Sequence, residues 1–289
     1  MNLRGTYTAI ITPFNADGTV DFGQLRELIA RQADAGVAGI VPVGTTGESP
    51  TLDYDEHNRV IEAAVAAARG RMQVIAGTGA NSTAEALTLT RHALDAGADA
   101  TLQVTPYYNK PSQEGLLRHF SAVADLGLPT VLYNIPGRTG REIAVDTIVK
   151  LAQHPHIVAV KESGGSVDRV SETLTRCAIT VLSGDDSMTL PMVAVGAQGV
   201  ISVVSNLAPQ PVVDMTRLAL EGQWEQARQL HLKYYPLFRD LFIDTNPVPI
   251  KAAMAMAGLT REVYRLPLCA MSDKLKDQLR QTLKSLSLL

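Results

Sequence analysis

Apolar and polar positions alternate along this chain in blocks rather than residue by residue. Short apolar runs rich in β-branched residues recur at Tyr7–Thr12, Gly39–Val43, Gln73–Gly77, Ala100–Thr105, Thr130–Asn134, Ile157–Lys161, Ile179–Gly184 and Gly199–Val203. Each is too short for a helix and apolar on both faces, the pattern of strands covered on both sides, as in a parallel sheet. The stretches between them carry helix starts and stops. Asp53-x-x-Glu56 reads as a capping box, followed by Val60, Ile61, Ala64, Val65 and Ala68 on one face and Gly70 as the stop. Ser82-x-x-Glu85 repeats the device, with Gly97 closing that helix, and Leu25, Leu28, Ile29 and Ala33 form a further stripe ending at Gly36.

Eight strand–helix units over roughly 220 residues predict an α/β fold of the (β/α)8 TIM-barrel type, whose usual size is about 250 residues. The rival, a doubly wound open sheet, normally carries a G-x-G-x-x-G turn after its first strand, and "TPFNADG" is not one. Beyond Gly222 the alternation stops. Trp224, Ala227, Leu230 and Leu241 suggest a helix, "TNPVPIKAAMAMAG" a proline-led second, and Ser272 caps a third with Leu275, Leu279, Leu283 and Leu286. The expected organisation is a catalytic barrel over residues 1–222 and an all-helical C-terminal extension over 223–289, packed on the barrel or on a neighbour.

Composition narrows the classes. The chain has 289 residues, 46% of them hydrophobic and 19% charged, which describes a folded globular protein. A net charge of −3 leaves no basic footprint for nucleic acid. No apolar run reaches membrane-span length, and "MNLRGTYTAIITPF" lacks the apolar core and small-residue cleavage site of a signal peptide, so a cytoplasmic location is expected. Two distant cysteines, Cys177 and Cys269, offer neither metal spacing nor a disulfide framework. Cys177 shares a stripe with Val167, Val170 and Leu174 and reads as a core thiol.

In a parallel barrel, function gathers at the carboxyl ends of the strands. Those positions here hold "GTTGES" (Gly44–Ser49), "GTGAN" (Gly77–Asn81), "TPYYNKP" (Thr105–Pro111), "YNIPGRTG" (Tyr133–Gly140), "KESGG" (Lys161–Gly165), "SGDD" (Ser183–Asp186) and "SVVSN" (Ser202–Asn206). Lys161 ends an apolar strand. Desolvation in a barrel mouth disfavours an ammonium, and a neutral amine adds to a carbonyl to form a Schiff base. The alternative is a lysine snorkelling to solvent or pairing with Glu162, and the residues alone leave both open. Tyr133 ends the preceding strand and is either a proton relay or a core ring. Thr45-Thr46, in a Gly-bracketed turn, can offer hydroxyls and N–H groups to a carboxylate or simply make a tight turn. Arg138 is a carboxylate fork or a solvated loop arginine. Asp185-Asp186 lacks a third oxygen ligand and reads as a cap and structural pair. His57 and His92 lack partners at ligand spacing, and His154 and His156 read as solvated. No metal site and no organic cofactor is expected.

Taken together, "GTTGES", "IAGTGANST", "VTPYYNKPSQEG", "YNIPGRTG", "VKES" and "NPVPIK" resemble the dihydrodipicolinate synthase family. More broadly they resemble the pyruvate-dependent class I aldolase superfamily that includes N-acetylneuraminate lyase. The motifs stand at six places in the right order across almost the whole chain. The resemblance implies a tetramer of two tight dimers that condenses pyruvate with aspartate 4-semialdehyde to 4-hydroxy-tetrahydrodipicolinate, towards diaminopimelate and lysine. It implies that Lys161 forms the Schiff base, that Tyr133 shuttles protons, and that Thr45 links Tyr133 to a Tyr108 acting across the dimer interface. Thr46 would hold the pyruvate carboxylate, Arg138 the carboxylate of the second substrate, and the backbone of Gly184 and Ile201 would line the pocket. Sialic acid lyases share the lysine and tyrosine but typically carry Ser-Thr in the turn and lack the "GRTG" arginine, which disfavours the sugar-acid lyase alternative. A catalytically silent binding barrel would have no reason to keep these residues.

In regulated members of the family lysine binds at the tight-dimer interface. The matching positions are Ser49, His57, Asn81, Glu85 and Tyr107. Glu85 has a complete alternative role in its capping box. Pro50 and Tyr54 depart from the enterobacterial-type pattern, and "KESGG" replaces the commoner "KEATG".

Overall fold

Eight parallel strands close into a barrel in sequence order in the computed structural model, which describes all 289 residues. They are β1 (Gly5–Thr8), β2 (Gly39–Ile40), β3 (Gln73–Gly77), β4 (Ala100–Val104), β5 (Thr130–Asn134), β6 (Ile157–Glu162), β7 (Thr180–Ser183) and β8 (Gly199–Ser202). The helices are α1 (Phe22–Asp34), α2 (Tyr54–Ala68), α3 (Thr83–Ala96), α4 (Gln113–Ala124), α5 (Pro136–Thr139), α6 (Val145–Leu151), α7 (Val167–Arg176), α8 (Thr189–Ala194), α9 (Pro209–Leu220), α10 (Trp224–Asp240), α11 (Val248–Met256) and α12 (Asp273–Ser285). β3 and β5 coincide with their apolar runs. β1 and β2 end early, because their runs leave the ladder to build the barrel mouth. In β2 the break precedes Pro42, which has no N–H to donate, and Val43, which takes φ +49°.

The caps follow the sequence in part. Asp53 and Glu56 form the reciprocal capping box of α2. At α3 only half of the expected box forms. Ser82 accepts from the Glu85 N–H, but the Glu85 carboxylate does not return to the cap and stands near the phenols of Tyr54 and Tyr107 instead. Ser272 is the N-cap residue of α12 without a side-chain bond. Cys177 is the half-buried C-cap of α7 rather than a core thiol, its Sγ 3.5 Å from the Thr173 carbonyl. His154 is paired with Asp125 at 3.0 Å and is not free in solvent.

The period-2 alternation of the strands sorts the barrel. Val131, Tyr133, Ala159, Leu182 and Ile201 point into the barrel core with Tyr7, Val41 and Ile75. Leu132, Val160 and Val181 point outward into the layer under the helices. The C-terminal helices are continuous with that outer layer: Ile250, Ala253, Met254, Leu279 and Leu283 share one core with Ile10, Ile40, Val43 and Val204. α10 packs on α9 and α12, and α11 on α12. No helix is long and apolar enough to cross a membrane.

Candidate active site

β5 and β6 are in register with Val131 opposite Ala159 and Tyr133 opposite Lys161. Side chains of directly paired parallel residues face the same side, so the inward alternation that buries Val131 and Ala159 brings Tyr133 and Lys161 inward one layer higher. Both are 5% exposed, and the Lys161 amine lies 4.0 Å from the centre of the Tyr133 ring. Lys161 therefore neither snorkels nor pairs with Glu162. The Glu162 carboxylate points the other way, where it accepts from Arg169 Nε at 2.9 Å, Asn134 Nδ2 at 2.8 Å and the Gly164 N–H at 2.7 Å.

Above this layer a cavity of about 200 Å³ is lined by Thr45, Gly77, Leu102, Tyr107, Tyr133 and Arg138, among others. Gly77 is required by close approach, since a Cβ there would stand 2.6 Å from the Val43 carbonyl oxygen. Thr45 is half-buried in the wall and Thr46 is buried behind it. The Thr46 hydroxyl accepts from Asn246 Nδ2 at 3.0 Å, and Arg138 Nη2 donates to the Asn246 carbonyl at 3.0 Å. One residue of the C-terminal extension thus ties together the two side chains expected to hold carboxylates. Gly184 packs beside Lys161, with Lys161 Cε 2.9 Å from where its Cβ would be. Ile201 is fully buried in the barrel core and does not line the cavity.

Tyr108 stands apart from Tyr133 and Thr45. It is 91% exposed and held at φ +71°, a left-handed backbone uncommon for an aromatic residue. Within one chain there is no Tyr133–Thr45–Tyr108 relay. Of the five positions matched to lysine binding, Ser49 and Tyr107 line the cavity above Tyr133. His57 is buried with Nε2 3.0 Å from the Gly77 carbonyl, and burial holds its imidazole below the usual range. The Asn81 carbonyl accepts from Asn109 Nδ2 at 2.8 Å. The Glu85 charge raises the phenol of Tyr54. Tyr107 is raised chiefly by burial and then by Glu85.

Further residues support this mouth, and of these Glu48, Asn246 and Lys251 escaped the sequence reading. Asp186 is a structural cap, accepting from the Ser202 hydroxyl and from the N–H groups of Val203 (3.0 Å) and Val204 (3.2 Å) to hold the loop after β8. Burial pushes the Asp185 carboxyl up to about 6, against the pull of the Lys161 charge. Glu48, inside "GTTGES", and Lys251, inside "NPVPIK", form a fully buried ion pair at 2.5 Å. Asn246 and Lys251 both come from the extension, 200 and 203 positions from Thr46 and Glu48 and, for Asn246, 108 from Arg138. The available signal was a lysine within an otherwise apolar helix.

An amine delivered to the carboxyl-end mouth of a closed (β/α)8 barrel, stacked on a phenol and held in no ion pair, places the protein among lysine-dependent, class I aldolase-type barrel enzymes. The chain belongs to the Dihydrodipicolinate synthetase family, whose profile matches residues 2–286. It is 50% identical to the 4-hydroxy-tetrahydrodipicolinate synthase of Geotalea daltonii, over 99% of each chain. It is 51% identical to the enzyme of the same name from Methanocaldococcus jannaschii, again over 99% of each. Among solved structures, the pyruvate complex of dihydrodipicolinate synthase from Acinetobacter baumannii is 42% identical and superimposes over the whole of both chains with a TM-score of 0.98.

Proposed function

We propose that this enzyme condenses pyruvate with L-aspartate 4-semialdehyde through a Schiff base on Lys161, giving 4-hydroxy-tetrahydrodipicolinate in lysine and diaminopimelate biosynthesis. The observation that carries the reading is the placement of the Lys161 amine, buried, inward and 4.0 Å from the Tyr133 ring at the floor of the mouth. A relative of the same fold, that from Acinetobacter baumannii, is known with pyruvate. The amine attacks the pyruvate ketone and loses water to give an iminium, whose enamine is the carbon nucleophile for the aldehyde. Tyr133 moves the protons. Thr46 holds the pyruvate carboxylate with Thr45 beside it, and Arg138 receives the carboxylate of the semialdehyde. Gly184 gives the lysine stem room to move, and Ile201 packs in the barrel core beneath the site.

The solvent-facing, backbone-strained Tyr108 suits insertion into a second copy, so the working unit is a tight dimer within a tetramer, acting in the cytoplasm. Residues 1–222 carry the nucleophile, and the extension, 223–289, supplies Asn246 to the wall. Neither metal nor organic cofactor is needed, because the iminium itself is the electron sink.

Borohydride reduction with pyruvate, followed by peptide mass spectrometry, tests the nucleophile, and addition of aspartate semialdehyde then separates condensation from sugar-acid cleavage. Arg138→Ala is expected to raise KM for the semialdehyde by about tenfold or more while leaving pyruvate adduct formation intact, as for loss of a charge-assisted bidentate contact. Loss of the pyruvate adduct in that variant would reassign Arg138.

A second reading concerns the cluster of Tyr54, Glu85 and Tyr107. It offers one carboxylate and two phenols beside Ser49, His57 and Asn81, a set suited to an α-amino acid with a second ammonium group. Its occupant is lysine as a feedback inhibitor. Calorimetric titration should show saturable binding that Glu85→Ala abolishes, and no heat at millimolar lysine would remove the idea.

A further inference from the structure

The residue two positions past the nucleophile, Ser163, brings a further hydroxyl to the site. Ser163 Oγ is buried from solvent and has no hydrogen-bond partner. A buried hydroxyl left unpaired is costly, so its persistence calls for a partner that arrives during function. Its surroundings identify that partner. The point where a Cβ on Gly184 would stand is 1.9 Å from Ser163 Oγ and 2.9 Å from Lys161 Cε. The hydroxyl and the last methylene of the lysine therefore share the small volume left open by the glycine, and the amine is one bond beyond that methylene. The Ser163 N–H is already used, donating to the Asn134 carbonyl at 2.9 Å, and this fixes the backbone from which the hydroxyl projects. Tyr133 occupies the β5 side of the lysine, while Ser163 and Gly184 occupy the β7 side.

We propose that Ser163 is the hydrogen-bond acceptor for the Lys161 nitrogen, taking the N–H of the iminium formed with pyruvate. The assignment rests on the Schiff-base reading above and deepens it. In that step the Lys161 nitrogen forms a bond to the ketone carbon and the C=O bond breaks. An ammonium and a ketone become an iminium, still carrying one N–H and one positive charge, and one water. The remaining N–H needs an acceptor in a site that excludes solvent. The face of Tyr133 attracts the cation but offers the N–H no lone pair in line with it. A serine hydroxyl does, and it keeps a hydrogen to donate to the departing water.

Ser163→Ala keeps the Cβ and removes only the hydroxyl. The expected result is a KM for pyruvate raised about tenfold, as for a lost hydrogen bond to a charged group. The yield of borohydride-trapped Lys161 at subsaturating pyruvate should fall in parallel. KM for aspartate semialdehyde and the melting temperature should be unchanged. Ser163→Gly, which removes the hydroxyl by a different change in packing, should show the same split. An unchanged pyruvate KM and trapping curve in both variants would overturn the assignment. So would equal rises in both KM values with a fall in melting temperature, which describes a packing role. Absence of any adduct in the unsubstituted enzyme would overturn the Schiff-base reading, and this assignment with it; a normal adduct there with unaltered variants would overturn this assignment alone.

Discussion

Lys161→Met is expected to abolish the pyruvate adduct and to lower turnover by about 10⁴-fold or more, the scale seen when a covalent nucleophile is removed from an otherwise intact site. The fold should survive. Methionine fills most of the volume of the lysine stem against Gly184 and Leu182, and the amine it removes is held by the Tyr133 ring rather than by an ion pair. Lys161→Arg separates the two things the amine brings. A guanidinium keeps the positive charge on the phenol face but stays protonated and does not add to a carbonyl. If the role of Lys161 were electrostatic, arginine would retain substantial activity. On the Schiff-base mechanism it is as inactive as methionine. Intact-protein and peptide mass spectrometry after borohydride reduction, alongside steady-state rates and thermal melts of both variants, make the check. A trapped adduct on a different lysine in Lys161→Met would sink the mechanism.

The amino-acid pattern revealed this site unevenly, and the reasons are physical. Continuous apolarity marks strands that are covered on both faces, so β3, β5 and the core of β6 lie where the runs lie. Once β5 and β6 are placed, period-2 alternation alone puts Tyr133 and Lys161 on one face. Strand ends were harder to place. The runs after Thr8 and Ile40 stay apolar because they are buried, though they have left the ladder for the mouth. Only half of the capping box expected at Glu85 formed, because such a box is read from local spacing, whereas the neighbours of its carboxylate come from α2 and from the loop after β4. Tyr108 was not legible from one chain, where it stands 91% exposed at φ +71°, apart from Tyr133 and Thr45. Ser163 was visible as a departure from the family pattern, but its unpaired hydroxyl needed three dimensions. Glu48, Asn246 and Lys251 were the hardest. Each pairs across some 200 residues, and no local periodicity reports a contact of that range.

The most consequential of those distant contacts is expected to set both stability and activity. Lys251→Met should destabilise the protein by about 3–5 kcal/mol, the cost of leaving one partner of a buried pair unpaired. The pair has no solvent to fall back on. Both side chains are 0% exposed, the amine also donates to the Thr12 carbonyl at 3.1 Å and lies 4.2 Å over the Phe14 ring, and burial pushes it below the usual lysine range against the pull of Glu48. Without it the Glu48 carboxylate keeps only the Arg265 N–H at 3.4 Å. A melting temperature roughly 10 °C lower is the readout for a chain of this size. The double variant Glu48→Leu/Lys251→Met should recover much of the loss, because an apolar pair carries no desolvation penalty. Activity should not recover with it. Glu48 holds φ +55° at the head of the turn Ser49–Thr51, directly after Thr45, Thr46 and Gly47, and the Thr12 hydroxyl donates to the Gly47 carbonyl at 2.7 Å. The ion pair therefore pins the turn that carries Thr45 and Thr46 to α11, while Asn246, five residues before Lys251, pins Thr46 and Arg138 to the same segment. A double variant that regains its melting temperature yet keeps a raised pyruvate KM would show that the pair positions the turn as well as stabilising the fold. If both stability and KM return to the starting values, the pair serves packing alone.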